Sequence, residues 1–351
     1  MSRRGGNNKS GRGGRSGRGR ASERRGTAEQ RRKEQEERDA RARTKLQAAY
    51  AEQPIDGRVL CMYGSHADVR FADGVGFCLL HPKVHKLFGL CVGDRVWTDG
   101  AAGPDDRVIM ARAERGTELR RIRSEEDRTG HVIAANLDQL AITAALHNPP
   151  LRTGALDRYL LLASVLGIEP LLVLTKIDLA PMDDPGWEVL APYRDLGVPI
   201  VPTSAVSGAG LDALRGALRG KVTAFAGHSG VGKSALTGAL GLEGALRTGE
   251  LSTSGGRVRG RHTTSIAKLL ELPSGGWVVD TPGVRAIGLV DIERRDVAVH
   301  FPELAEHAGD CAFADCLHVD EDDCAVREAV DDGAIPAVRY ESYRKLVESI
   351  E

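Results

Sequence analysis

The chain lacks a run of about 18 or more apolar residues, so nothing in it reads as a transmembrane helix and no membrane contact is expected. It also lacks an apolar stretch behind its first arginines, which excludes a secretory signal and makes a cytoplasmic protein the expectation. Cysteine is scarce, six in 351 residues, and disulfides are not expected in that compartment. Acid is missing from the start of the chain: Met1–Arg20 holds seven basic residues, seven glycines and no Asp or Glu. Such a segment cannot bury a core and is expected to be disordered.

The formal net charge of −1 hides an asymmetry. Residues 1–45 carry 16 Lys and Arg against 6 Asp and Glu, while the remainder carries 32 against 43. The arginines of the tail suit RNA phosphates; a merely solubilising tail is the alternative. From about Ala21 to Ala49 an Arg/Glu/Gln/Ala composition predicts a solvated helix. Apolar content of 41 % is enough for buried cores, and 351 residues suit two or three domains.

The predicted architecture is multidomain α/β. Residues 1–50 form the basic tail and charged helix, and residues 51–120 an N-terminal OB-fold β-barrel. Residues 125–297 form an α/β domain and residues 298–351 a small α-helical C-terminal domain. Five short strands are expected, at Gly57–Tyr63, Ala67–Phe71, Gly76–Leu80, Val92–Trp97 and Arg107–Arg112. Barrels of this kind often bind RNA through one face, but few aromatics here look exposed, so stacking is a weak argument. Farther on, apolar strands at Leu137–Leu146, Pro170–Leu174, Pro199–Pro202, Val222–Ala226 and Trp277–Asp280 alternate with helices at Leu156–Leu166 and Leu211–Leu218. That alternation predicts a mostly parallel sheet with ligands at the carboxyl ends of its strands.

The sharpest signal is Gly227-His228-Ser229-Gly230-Val231-Gly232-Lys233-Ser234, after a strand and before a helix from about Ala235. Its amides can wrap phosphates, Lys233 supplies charge to the outer ones, and Ser234 can ligate magnesium. Asp280-Thr281-Pro282-Gly283 ends a strand and suits a magnesium-holding acidic loop in which the Gly283 amide senses the third phosphate. Between them a glycine-rich segment ends Arg261-His262-Thr263-Thr264, as a first switch would. One threonine, Thr263 with Thr264 the alternative, must then reach magnesium.

Thr175-Lys176-Ile177-Asp178 points to guanine, because the Asp178 carboxylate can accept from N1 and the exocyclic amine, and adenine offers no such donor pair. Thr203-Ser204-Ala205 reads as the companion base loop, and GTP or GDP with Mg2+ is the expected cofactor. These base motifs precede the phosphate loop, a rotated order. Many GTPases carry Asn at the position of Thr175, which keeps a hydroxyl but no amide. Many also place Gln after the Asp-x-x-Gly glycine, where this chain has Val284, which can neither donate nor accept. Intrinsic hydrolysis should then be slow, with His262 the candidate to position water, or else a packing or RNA-contacting residue.

Cys61, Cys78 and Cys91 lie among apolar residues and read as core side chains. Cys311, Cys316, His318 and Cys324 supply three thiolates and an imidazole, a closed set for one structural Zn2+.

With these motifs the chain resembles the ribosome small-subunit-dependent GTPases, the RsgA (YjeQ) family, over about residues 55–345. The resemblance rests on Arg115–Arg121, on Ile133–Gln139, on the permuted order, on Gly260–Thr264, on Asp280–Arg285 and on the Cys/Cys/His/Cys spacing. It implies an OB-fold, a circularly permuted GTPase domain and a zinc domain. It further implies a late role in maturing the small ribosomal subunit, contact with its rRNA, and hydrolysis stimulated by that subunit; His262 maps to a histidine proposed as catalytic. A monomer is expected. Two other readings stay open: a permuted GTPase on another RNA or ribosomal partner, and a non-catalytic assembly factor using GTP as a conformational clamp.

Overall fold

The computed structural model describes residues 17–121, 130–181, 183–242, 267–280 and 292–350. Its first element is a helix, Gly17–Ala48. The last turn of that helix leans on a small barrel through Leu46, and Gln47 donates to the Arg112 carbonyl at 3.0 Å.

The barrel is built from β1 (Gly57–Tyr63), β2 (His66–Phe71), β3 (Gly74–Leu80), β4 (Arg95–Thr98) and β5 (Val108–Arg112), with a short helix Pro82–Leu87 before β4. Side chains alternate in and out along the strands, so Val59, Ala67, Val69, Phe71, Cys78, Val96 and Ile109 fill the interior. Pairings β1–β2, β2–β3, β3–β5, β5–β4 and β4–β1 close the sheet on itself, the order of an OB-fold. The outer face holds more aromatic surface than the sequence suggests. The His66 ring stacks on Phe77 at 4.9 Å, and Tyr63 leans on Phe77 at 5.8 Å.

A two-stranded hairpin follows, β6 (Glu118–Arg121) with β7 (His131–Ala135). A buried ion pair ties this region back to the barrel: the Arg115 guanidinium donates to both oxygens of Asp94, at 2.7 and 2.8 Å.

The α/β sheet comprises β8 (Gln139–Ala145), β9 (Glu169–Thr175), β10 (Ile200–Pro202), β11 (Val222–Ala226), β12 (Lys268–Glu271) and β13 (Trp277–Asp280). Its order is β10-β9-β8-β11-β13-β12; the first five strands are parallel, and β12 runs antiparallel at the edge. β8 is buried at every position, as expected of a central parallel strand covered on both faces. One face packs on the helix Thr153–Leu166, and the other on the helix Leu211–Leu218. β12 also pairs with β1 at Lys268 and Cys61, so barrel and α/β sheet meet edge to edge.

The C-terminal module has helices Pro302–Ala308, Ala325–Asp331 and Ala337–Ser349 around Phe301, Leu304, Val326, Tyr343 and Val347. Leu161 of the Thr153–Leu166 helix belongs to the same core. Beside it Arg339, only 2 % exposed, donates to the fully buried Asp157 and, at 2.6 Å, to Glu303. The Arg339 guanidinium also lies over the Phe301 ring at 4.6 Å.

Candidate nucleotide and metal sites

Parallel pairing brings the carboxyl ends of β8, β9, β10, β11 and β13 to one edge of the sheet, where ligands of such folds bind. Four of the predicted motifs therefore begin at that edge. Gly227–Ser234 leaves β11, Thr175–Asp178 leaves β9, Thr203–Ala205 leaves β10, and Asp280 ends β13. The segment with His262, Thr263 and Thr264, and the residues Gly283 and Val284, lie outside the described residues.

The phosphate loop passes so close to β8 that a Cβ at Gly227 (φ +143°) would sit 2.2 Å from the Thr143 carbonyl oxygen. Gly230 and Gly232 hold φ of +82° and +97°, a region that favours glycine. His228, Ser229 and Gly230 are exposed, and Val231 is buried. The Lys233 ammonium donates to the carbonyls of Gly227 (2.5 Å) and His228 (2.7 Å). The helix starts at Lys233 and thus includes Ser234 and Ala235. It ends at Thr237, and the chain runs on through a wider turn, Gly238–Leu242, with Gly241 left-handed.

The base motif is held to this loop from the side. The Thr175 hydroxyl lies against two carbonyl oxygens, Ala144 at 3.0 Å and Val231 of the phosphate loop. It has one proton, so it serves one at a time, where an Asn amide would have two. Lys176 is left-handed (φ 59°), and its ammonium donates to the Gly230 carbonyl at 2.7 Å and to that of Asn148. Its stem therefore lies across the loop. Asp178 is exposed, and its Oδ1 accepts from Ser204 Oγ at 2.5 Å. Ser204 Oγ in turn accepts from the amides of Val206 and Ser207, with Ala205 half-buried beside it. Ser204 thus aims the carboxylate that would read guanine, a role its place in the motif did not reveal.

Burial raises Asp280 above the ordinary carboxylate value, with Lys268 pulling the other way. A divalent cation would reverse that shift, and the hard oxygens of Ser234 and Asp280 fit magnesium.

The four ligand atoms of Cys311, Cys316, His318 and Cys324 lie within 4.8 Å of one another. Cys311 and Cys324 sulfurs are 3.9 Å apart, and His318 Nδ1 is 3.3 Å from the first and 3.5 Å from the second. A tetrahedral zinc ion would set about 3.8 Å between sulfurs and about 3.6 Å between sulfur and nitrogen. The donor set therefore fits zinc, and all four ligand positions are protein, as in structural sites. Backbone contacts brace the loop. Glu321 accepts from the Leu317 and Val319 amides at 2.8 Å each, while Tyr343 and Tyr340 donate to the carbonyls of Leu317 (2.6 Å) and His318 (2.9 Å). These supporting residues carry no motif and were not singled out in the sequence.

Fold and site together define a circularly permuted GTPase with a barrel on one flank and a thiolate–imidazole module on the other. The family model of the RsgA GTPase matches residues 112–290. The chain belongs to the RsgA GTPase family and is a GTP hydrolase. It is similar to the crystal structure of YjeQ from Thermotoga maritima, at 33 % identity and a TM-score of 0.64, over 83 % of this chain and 96 % of that one. It is also similar to YloQ, described as a circularly permuted GTPase, at 29 % identity and a TM-score of 0.65, over 84 % of this chain and 94 % of that one. Among the described residues no helix is long and apolar enough to cross a membrane.

Proposed function

We propose that this GTP hydrolase binds the small ribosomal subunit and its rRNA, acts in the late maturation of that subunit, and hydrolyses GTP faster when bound to it. The observation that carries this reading is the placement of the nucleotide edge between the barrel and the C-terminal module. The closed barrel, with its basic N-terminal segment, joins one end of the sheet, and the metal module packs on the helix Thr153–Leu166. Membership in the RsgA family supports the choice of partner.

In this reading Asp178 accepts from guanine, Lys176 covers the base, and the amides of Gly227–Ser234 with the Lys233 ammonium hold the phosphates. Ser234, Asp280 and Thr263 hold magnesium, which would neutralise phosphate charge as it develops. Gly283 senses the third phosphate, and His262 positions the attacking water. Cys311, Cys316, His318 and Cys324 hold one structural zinc. The protein acts in the cytoplasm as a monomer.

The test is GTP turnover with purified small and large subunits added separately. Stimulation by small subunits alone is expected; a flat rate with both refutes the partner, and stimulation by the large subunit reassigns it. Val284, which cannot orient water, favours a second reading in which GTP acts as a conformational clamp. Single-turnover hydrolysis on the ribosome separates the two, and a His262→Ala protein that kept stimulated turnover would remove His262 from the mechanism.

A further inference from the structure

A cavity of about 600 Å³ lies against the phosphate loop, on a side that the base motif does not reach. It is lined from β8 by Thr143 and Ala145, and from the phosphate loop by Gly227, His228 and Ser229. Pro149, Ala155 and Tyr159 give it an apolar wall on the side of the Thr153–Leu166 helix. None of Thr175, Lys176, Asp178 and Ser204 touches it. Its size and mainly apolar lining suit a small organic molecule.

Three polar features say what kind. Thr143 is 2 % exposed, lines the cavity, and its Oγ1 has no hydrogen-bond partner among the described residues. A buried hydroxyl in that condition favours a ligand with a polar atom to meet it. Arg152 and Arg158 also line the cavity; both are exposed, and neither forms an ion pair among the described residues. Two free guanidiniums favour an anion, and a planar carboxylate matches their geometry.

We propose that this cavity binds a small amphiphilic anion of the aryl carboxylate class, and that its occupancy alters nucleotide affinity. The ring system lies against Pro149, Ala155 and Tyr159, and the carboxylate faces Arg152 and Arg158 and accepts from the Thr143 hydroxyl. The ligand touches Gly227–Ser229, the loop that binds phosphate, so the two sites share a wall. Coupling through that wall is reciprocal: each ligand changes the affinity of the other by the same factor. The inference uses the GTPase assignment alone and does not depend on the ribosome.

Calorimetric titration of the full chain with naphthalene-2-carboxylate tests it. One-to-one binding is expected, with GDP affinity shifted by the same factor as GDP shifts the carboxylate. The neutral probe naphthalene-2-methanol should bind roughly tenfold more weakly, and so should the carboxylate to an Arg152→Ala/Arg158→Ala protein. Thr143→Val, which keeps shape and removes the hydroxyl, should weaken binding by roughly fivefold. Ala155→Trp should fill the cavity and abolish binding, while retained GDP binding shows that the protein is folded. The proposal is overturned if the native chain shows no saturable binding, if the Ala155→Trp protein binds equally well, or if GDP affinity does not move with occupancy.

Discussion

Asp178 is exposed, so its hydrogen bond from Ser204 matters for direction more than for stability. A free carboxylate would sample several rotamers and meet guanine at an entropic cost. Held by Ser204, it stands in one orientation before the base arrives. Asp178→Asn replaces an acceptor by a donor facing the guanine N1 and amine. GTP affinity is expected to fall by roughly 10- to 100-fold, with ATP affinity little changed, because hydrogen bonds to charged groups contribute about 1.5–3 kcal/mol. Fluorescent-nucleotide titration measures this, and an unchanged GTP-to-ATP ratio would contradict the assignment. The metal ligands follow a different logic. Burial pushes the Cys316 thiol up to about 12, and also raises Cys324, so without a cation these groups would be neutral thiols at pH 7. A bound zinc ion would instead hold them as thiolates, and its binding energy would become folding energy for the module. Chelation should release one equivalent of zinc, and Cys324→Ala should lower both zinc content and the melting temperature of the C-terminal module. Metal assay and tryptic protection of residues 292–350 report the outcome.

At the scale of elements, the Thr153–Leu166 helix joins the nucleotide edge to the metal module. Asp157 and Leu161 face the module, while Ala155 and Tyr159 line the cavity beside the phosphate loop. Arg339 holds two carboxylates at this junction, Asp157 and Glu303. Burial raises Asp157 above its ordinary value, and the Arg339 charge opposes that shift. Arg339→Met removes the cation and leaves the carboxylates buried without it, a loss of about 3–5 kcal/mol at neutral pH. The sign with pH follows. A carboxyl whose folded pKa lies above the unfolded one destabilises the fold when ionised, and this penalty fades as pH falls and the group protonates. The stability gap between variant and native protein should therefore narrow from pH 8 to pH 5 in urea unfolding, and a constant gap would refute the argument. This junction was not legible in the sequence, since Asp157 and Arg339 lie 182 residues apart. The β8, β9 and β11 strands were, because each is an apolar run, and β9 and β11 also end in loops of recognisable chemistry. β12 escaped notice because Lys268–Glu271 is four residues long and at the sheet edge. The β6–β7 hairpin did too, because arginines and a histidine hide its pairing period. The outward aromatics at Tyr63, His66 and Phe77 became visible only once the barrel register had set which side each faces.

At the scale of the whole molecule, the rotated motif order puts the acidic loop at Asp280 next in the chain to the module at 292–350. Space adds a second route, because that module packs on the helix that follows β8. If the acidic loop moves with the nucleotide, that movement would have two routes to the module. The barrel joins the sheet through the β1–β12 pairing, the Arg70–Glu271 ion pair and Arg58 over the Trp277 ring, and it carries the basic segment, which suits it to attachment. Residues 1–45 hold 16 Lys and Arg, and phosphate contacts by such residues release counterions and make affinity fall with salt. Removing residues 1–45 leaves Leu46 and Gln47 on the barrel, so the fold should persist. If the segment binds rRNA, the truncated protein should keep its unstimulated GTPase rate. It should also bind small subunits more weakly at 50 mM salt and lose affinity less steeply as salt rises. Each phosphate contact removed should lower the slope of log affinity against log salt by about 0.7–0.9. Co-sedimentation across a salt series measures this directly. Equal affinity and equal slope for both proteins would make the segment a solubilising tail and leave the barrel and the metal module to hold the subunit.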